Sequence, residues 1–166
     1  LHQAMSASRQ AYANVMWTGD VREQMAVGGC NCGAVRFEVT GQISDVYVCH
    51  CSICRRFSGS NGVAVIVVPN ESFRWISGTE TVSRWEKPGH DWQSNFCSTC
   101  GSALPGANDA SRMFVPAGAI TEGSECLHIA HHIWVDSRAS WDIIGDLGRQ
   151  HRCAFEADEP KAEGDS

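Results

Sequence analysis

Charge is sparse in this chain, and long apolar runs are missing. Only 19% of its 166 residues are charged, and the longest continuous apolar run, Val63 to Val68, is six residues. A membrane-spanning helix needs about 20 apolar residues, so none is encoded here. Basic surface is missing too. The net charge is −6, of which residues 156–166 carry −4 and residues 1–24 carry none, leaving −2 on residues 25–155. A nucleic-acid binder would present a basic face, and this chain has no material for one. Residues 1–24 contain Arg9, Asp20, Arg22 and Glu23 without a continuous apolar stretch, which is unlike a secretory signal. The expectation is a soluble, cytoplasmic protein with neither a membrane nor a nucleic acid as partner.

Cysteine is what the chain has. Seven of nine cysteines fall into three clusters: Cys30 and Cys32; Cys49, Cys51 and Cys54; and Cys97 and Cys100. Thiolates two or three residues apart can wrap one soft cation, and Zn²⁺ takes four ligands in a tetrahedron with sulfur at about 2.3 Å. Seven ligands divide into one closed site of four and one open site of three. A closed site holds a fold together, whereas an open one can bind and activate something. Disulfides are the competing reading. They are disfavoured because a single intervening residue strains the bridge in Cys30–Cys32 and Cys49–Cys51, and because a chain of this length can build its own core. Cys126 and Cys153 stand alone in apolar surroundings and read as small buried hydrophobes.

Length and composition indicate one domain, with folding expected to begin near Met25. Residues 1–24 read as an extension that is flexible, a short added helix, or translated upstream sequence. Residues 156–166 read as a solvated, disordered acidic tail. Between them the pattern is mostly strand. Val35, Phe37 and Val39 alternate with polar neighbours. Val46 and Val48 lead into the second cysteine cluster, and Val63–Val68 is a β-branched buried strand. Phe73–Ile76 and Thr81–Trp85 flank Ser77-Gly78 as a hairpin, and Met113–Val115 and His132–Val135 are further strands. Helix is limited to one turn in Cys51–Phe57. The fold class expected is a mainly antiparallel β domain stapled by metal.

Three motifs resemble the glutathione-dependent formaldehyde-activating enzyme family, which also includes centromere protein V. Gly28-Gly29-Cys30-Asn31-Cys32-Gly33 is similar to its opening motif. Cys49-His50-Cys51-Ser52-Ile53-Cys54-Arg55-Arg56, followed by Ser58-Gly59, is similar to its second, and Asn95-Phe96-Cys97-Ser98-Thr99-Cys100-Gly101-Ser102 to its third. His132-Ile133-Trp134-Val135-Asp136 with Trp141 resembles the closing segment, so the likeness runs over about residues 25–147. It implies a β-tent fold like that of methionine sulfoxide reductase B. It also implies two Zn²⁺ ions per chain, a structural one on Cys30, Cys32, Cys97 and Cys100 and a labile, open one on Cys49, Cys51 and Cys54. The activity implied is a carbon–sulfur lyase that joins glutathione, or a similar thiol, to formaldehyde or a related small electrophile.

The spacing agrees with that division. The outer pairs clip together a loop of some 65 residues, which removes unfolded-state entropy, and structural zinc can add about 10 kcal/mol or more. Arg55 and Arg56, next to the open cluster, are candidate clamps for a glutathione carboxylate; the alternative is a solvated pair. Gly59 and Gly62 could let a peptide backbone approach, or be ordinary turn residues. His50 lies between two ligands, so its side chain is expected to point away from their metal into packing or a supporting hydrogen bond. One of His131 and His132 faces inward by strand alternation, and Trp134 and Trp141 read as core. Two departures from the family pattern, Ser60-Asn61-Gly62 and Asp136 through Ser140, border the expected pocket. The alternative function is a non-catalytic zinc module that binds a partner. Its centromere protein V branch carries a basic or proline-rich extension, and residues 1–24 are neither.

Overall fold

The computed structural model describes residues 24–155. The expected extension over 1–24, except Gln24, and the expected tail over 156–166 lie outside them. In chain order the strands are β1 (Met25–Gly29), β2 (Arg36–Thr40) and β3 (Asp45–Cys49), then helix α1 (Ser52–Ser58). There follow β4 (Val63–Pro69), β5 (Phe73–Ser77), β6 (Val82–Glu86) and β7 (Gln93–Cys97). Next come β8 (Ala103–Leu104), β9 (Gly106–Ala107), β10 (Arg112–Pro116), β11 (Ile120–Glu122), β12 (His128–Ile133) and β13 (Arg149–Gln150). They form three sheets, ordered β11-β1-β2-β5, β13-β12-β3-β4-β10-β9 and β6-β7-β8. The fold is mainly β, as the alternation of apolar residues requires.

The first three strands each bury one face. Ala26 and Gly28 on β1, Phe37 and Val39 on β2, and Val46 and Val48 on β3 are buried, alternating with less buried neighbours. Phe37, Val39, Ile66 and Val115 are almost fully buried in the main core, each contributing roughly 1.5–3 kcal/mol. A smaller cluster of Cys30, Val35, Cys97 and Leu104 lies under the outer cysteine pairs, and Trp75 packs against both.

Four expectations change. Phe73–Ile76 and Thr81–Trp85 do not pair as a hairpin: β5 joins β2, and β6 joins β7 in another sheet. Gly78, at φ +78°, starts a 3₁₀ turn over Thr79–Thr81 that carries the chain between sheets instead of folding it back. The pairing is mainly antiparallel, as expected, with β12 running parallel to β3 and to β13. That strand also stops at Ile133, because Trp134 takes a left-handed φ of +59°. Trp134 and Trp141 are 38% and 68% exposed, and Cys126 and Cys153 are exposed thiols, so none of the four is core. Helix α1 is two turns rather than one.

Candidate metal centres and the adjoining cavity

Two strand ends meet at the outer cysteines. Cys30 closes β1 and starts a turn in which Gly33 N–H donates to Cys30 C=O at 3.0 Å, while Cys30 N–H donates to Val35 C=O at 3.1 Å. Cys97 closes β7 and starts a matching turn, with Gly101 N–H to Cys97 C=O at 2.8 Å and Cys97 N–H to Ser102 C=O at 2.9 Å. Side by side, the turns put Cys30 Sγ 3.4 Å from Cys32 Sγ, and Cys32 Sγ 3.7 Å from Cys97 Sγ. A disulfide would hold sulfurs at about 2.05 Å, whereas sulfurs at 2.3 Å from a tetrahedral zinc lie about 3.8 Å apart. All four Sγ atoms, Cys100 included, fall within 4.8 Å of one another. The donor set and its spacing therefore fit a zinc ion. Ser102 couples the turns: its hydroxyl accepts from Asn31 N–H at 3.0 Å and lies 3.2 Å from Cys100 Sγ. It helps pull the Cys100 thiol down to about 5. The family likeness named Ser102 only as a motif position; its bridging role needs the two turns in contact.

The second group is local. Buried Val46 and Val48 anchor β3, and the chain leaves it at Cys49 and enters α1 through Cys51. Cys51 is the N-cap of α1; its Sγ accepts from Cys54 N–H at 3.4 Å. The Sγ atoms of Cys49, Cys51 and Cys54 lie within 4.8 Å of one another, all as free thiols. A hydrogen bond from Cys54 lowers the Cys49 thiol to about 6 against the opposition of burial. Cys54 itself is pushed far up, by Cys49 and then by burial. One thiolate is thus already favoured before any cation arrives. Three soft donors this close together could hold a zinc ion.

Gly62 makes this arrangement possible. A Cβ there would come within 2.7 Å of the Cys49 carbonyl oxygen and 3.1 Å of Val48 Cγ1. His50 turns away from the thiols, as expected. It is 1% exposed, its Nε2 lies 2.9 Å from His132 Nδ1, and its Nδ1 lies 2.9 Å from Asp142 Oδ2. The last approach lies off the axis of a straight hydrogen bond, so it is a close polar contact rather than a hydrogen bond. His132 is the inward member of the histidine pair, while His131 stacks on Tyr47 with centroids 4.9 Å apart.

On the opposite side of the 49–51 segment, Cys49 and Cys54 line a cavity of about 680 Å³. Small-molecule sites commonly span 300–1,000 Å³. Phe57, Val63, Val65, Phe114 and Ile133 form its apolar wall, and Arg84, Lys87, His90 and Trp92 its other side. Arg55, Arg56 and Gly59 are not among its lining residues: Arg56 reaches Ser52 Oγ at 3.3 Å, and Gly59 caps the helix C-terminus. Nothing local in the sequence ties Arg84 or Lys87 to Cys49, because only the placement of β6 and β7 brings that loop over the thiols.

A family model described as glutathione-dependent formaldehyde-activating enzyme matches residues 25–137, which hold all seven clustered cysteines. A Halomonas elongata protein named "Putative glutathione-dependent formaldehyde-activating enzyme" is 35% identical over 85 residues, covering 46% of this chain and 52% of that protein. The chain thus spans about half the length of the curated relative it matches. A crystal structure of a Rhodobacter sphaeroides protein superimposes with a TM-score of 0.48 at 25% identity, covering 58% of this chain and 88% of the other.

Proposed function

The chain belongs to the glutathione-dependent formaldehyde-activating enzyme family, and from that premise we propose that it is a zinc-dependent carbon–sulfur lyase joining glutathione to formaldehyde. The observation that carries the reading is three unpaired thiols, Cys49, Cys51 and Cys54, grouped at the edge of a substrate-sized cavity. A zinc ion on these thiolates would leave one coordination position open and lower the pKa of a thiol presented there. Phe57, Val63, Val65 and Phe114 exclude water beside that position. Lys87, and Arg84 beside its ion-pair partner Glu86, offer charge-assisted hydrogen bonds to the carboxylates of glutathione.

The reaction is a carbonyl addition. The glutathione sulfur forms a bond to the formaldehyde carbon, the carbonyl π pair moves to oxygen, and the thiol proton ends on that oxygen. The product is S-hydroxymethylglutathione, and the reverse reaction breaks the carbon–sulfur bond. The free thiols fit a reducing compartment such as the cytoplasm, and among the described residues no helix is long and apolar enough to cross a membrane.

Zinc per chain, measured without chelator, and then formaldehyde consumption in the presence of glutathione, followed by NMR, test this reading. Two zincs and product formed faster than in buffer are expected. Two zincs with no acceleration for glutathione or any aldehyde would return the balance to a non-catalytic zinc module.

A further inference from the structure

Cys49 lines one cavity, while His50, the next residue, lines another. The second cavity, of about 340 Å³, is lined by Val48, His50, Asn61, His132, Asp142 and Asp146 among others. Its polar groups form one chain of close contacts, in which the Asp142–His50 approach is short but not a straight hydrogen bond. Asn61 Nδ2 donates to Asp142 Oδ1 at 3.0 Å, and Asp142 Oδ2 sits 2.9 Å from His50 Nδ1. His50 Nε2 sits 2.9 Å from His132 Nδ1, and His132 Nε2 lies 2.8 Å from Asp146 Oδ1. Asp142 and His50 have side chains only 5% and 1% exposed. Burying a carboxylate is costly unless it is paired, so this contact resists being broken. The main chain adds a further tie, His50 N–H to Ile133 C=O at 3.0 Å.

We propose that Asp142, acting through His50, is the positioning residue of the three-cysteine centre. A residue whose side chain is clamped on one face of a segment fixes where its two neighbours point on the other. With His50 held by Asp142 and His132, the Cys49 and Cys51 Sγ atoms face Cys54 before any metal binds, so less ordering is left for the metal to impose. Asp142 lines only the second cavity and does not border the 680 Å³ one, so it touches no substrate there. It also lies beyond residues 25–137, the span matched to the family. Supporting groups that orient metal ligands typically change metal affinity 10–100-fold when removed.

The proposal rests on the zinc reading of Cys49, Cys51 and Cys54, and its test separates the two. Zn²⁺ and Co²⁺ would be titrated against a chromophoric chelator in wild type, Asp142→Asn and Asp142→Ala. The expected result is a second equivalent of metal bound 10–100-fold more weakly in Asp142→Ala, with Asp142→Asn in between because it keeps the side chain's size and the acceptor for Asn61 Nδ2. The first equivalent, on the four-cysteine site, stays as in wild type. The cobalt–thiolate absorption of the second equivalent should shift as well, which lost stability alone would not cause. An Asp142→Ala protein with a lower Tm but an unchanged second equivalent overturns the proposal. Should Asp142→Ala fail to fold, Asn61→Ala and Asp142→Asn are read by the same criteria, in the same direction. A wild-type chain that binds only one metal overturns the proposal together with the zinc reading. A chain that binds two and is inert to glutathione and formaldehyde overturns the proposed function and leaves the positioning role standing.

Discussion

Cys97 and Cys54 are both thiols in cysteine clusters, yet their loss should have different consequences. Cys97 is fully buried and joins two turns that are 65 residues apart in sequence. Structural zinc contributes about 10 kcal/mol or more, comparable with the whole stability of about 5–15 kcal/mol of a domain. Cys97→Ser should therefore unfold the chain or lower its Tm steeply, read by circular dichroism. Cys54→Ser opens a cluster confined to six residues of sequence and should leave a folded, inactive protein. Equal losses of Tm would show that the division into closing and reactive sites is wrong. The same cluster predicts a pH effect in metal-free protein. Cys49 is held at about 6, against the usual 9.0, chiefly by the hydrogen bond from Cys54. It should thus alkylate as a thiolate with a midpoint near 6, and Cys54→Ser should move that midpoint upward, as an iodoacetamide rate–pH profile would record.

At the scale of elements, what matters is how close one backbone passes another. The 3₁₀ turn that opens at Gly78 delivers β6 to the sheet containing β7, and with it the Arg84–Trp92 stretch that walls the cavity. Gly78 has φ +78°, and a Cβ there would overlap the Ala34 carbonyl. Gly78→Ala should cost about 2 kcal/mol or more from strain and overlap together, read as a lowered urea midpoint with unchanged m-value. Gly62→Ala acts at the opposite end of the site. Its Cβ presses on the Cys49 carbonyl, so weakened metal binding at the three-cysteine centre is expected alongside a loss of about 1–3 kcal/mol.

For the whole molecule, the outer cysteines join the sheet that begins at β1 to the sheet that contains β7, with a small core of Val35 and Leu104 beneath them. A chelator strong enough to strip both sites should therefore melt the fold in two stages. The three-cysteine metal should leave first with little change in circular dichroism, and the four-cysteine metal should leave with global unfolding. Metal release followed by a zinc indicator, alongside ellipticity, would separate the stages. Simultaneous loss of both signals would mean that the two centres are one cooperative unit.

Much of this was legible in the residues because it depends on short range. Ligand spacing is a property of a few consecutive positions, so the seven cysteines and their division could be named from sequence and family resemblance. Alternation fixed the strands around Val35–Val39, Val46–Val48 and Val63–Val68, and the expectation that His50 turns from the metal followed from its place between two ligands. What needed the tertiary structure was everything that depends on distant segments meeting. A two-residue turn and a 3₁₀ crossover look alike around Gly78 until the strands choose partners, and apolar type alone placed Trp134, Trp141, Cys126 and Cys153 inside when packing left them outside. Arg55 and Arg56 were chosen for closeness in sequence, but a helix sends neighbouring side chains in different directions. The cations of the cavity wall come from β6 and its loop instead, and the carboxylate that grips His50 comes from Asp142, 92 positions along the chain. The sequence determined which atoms can hold a metal; the packing of three sheets decided which side of that metal faces a cavity.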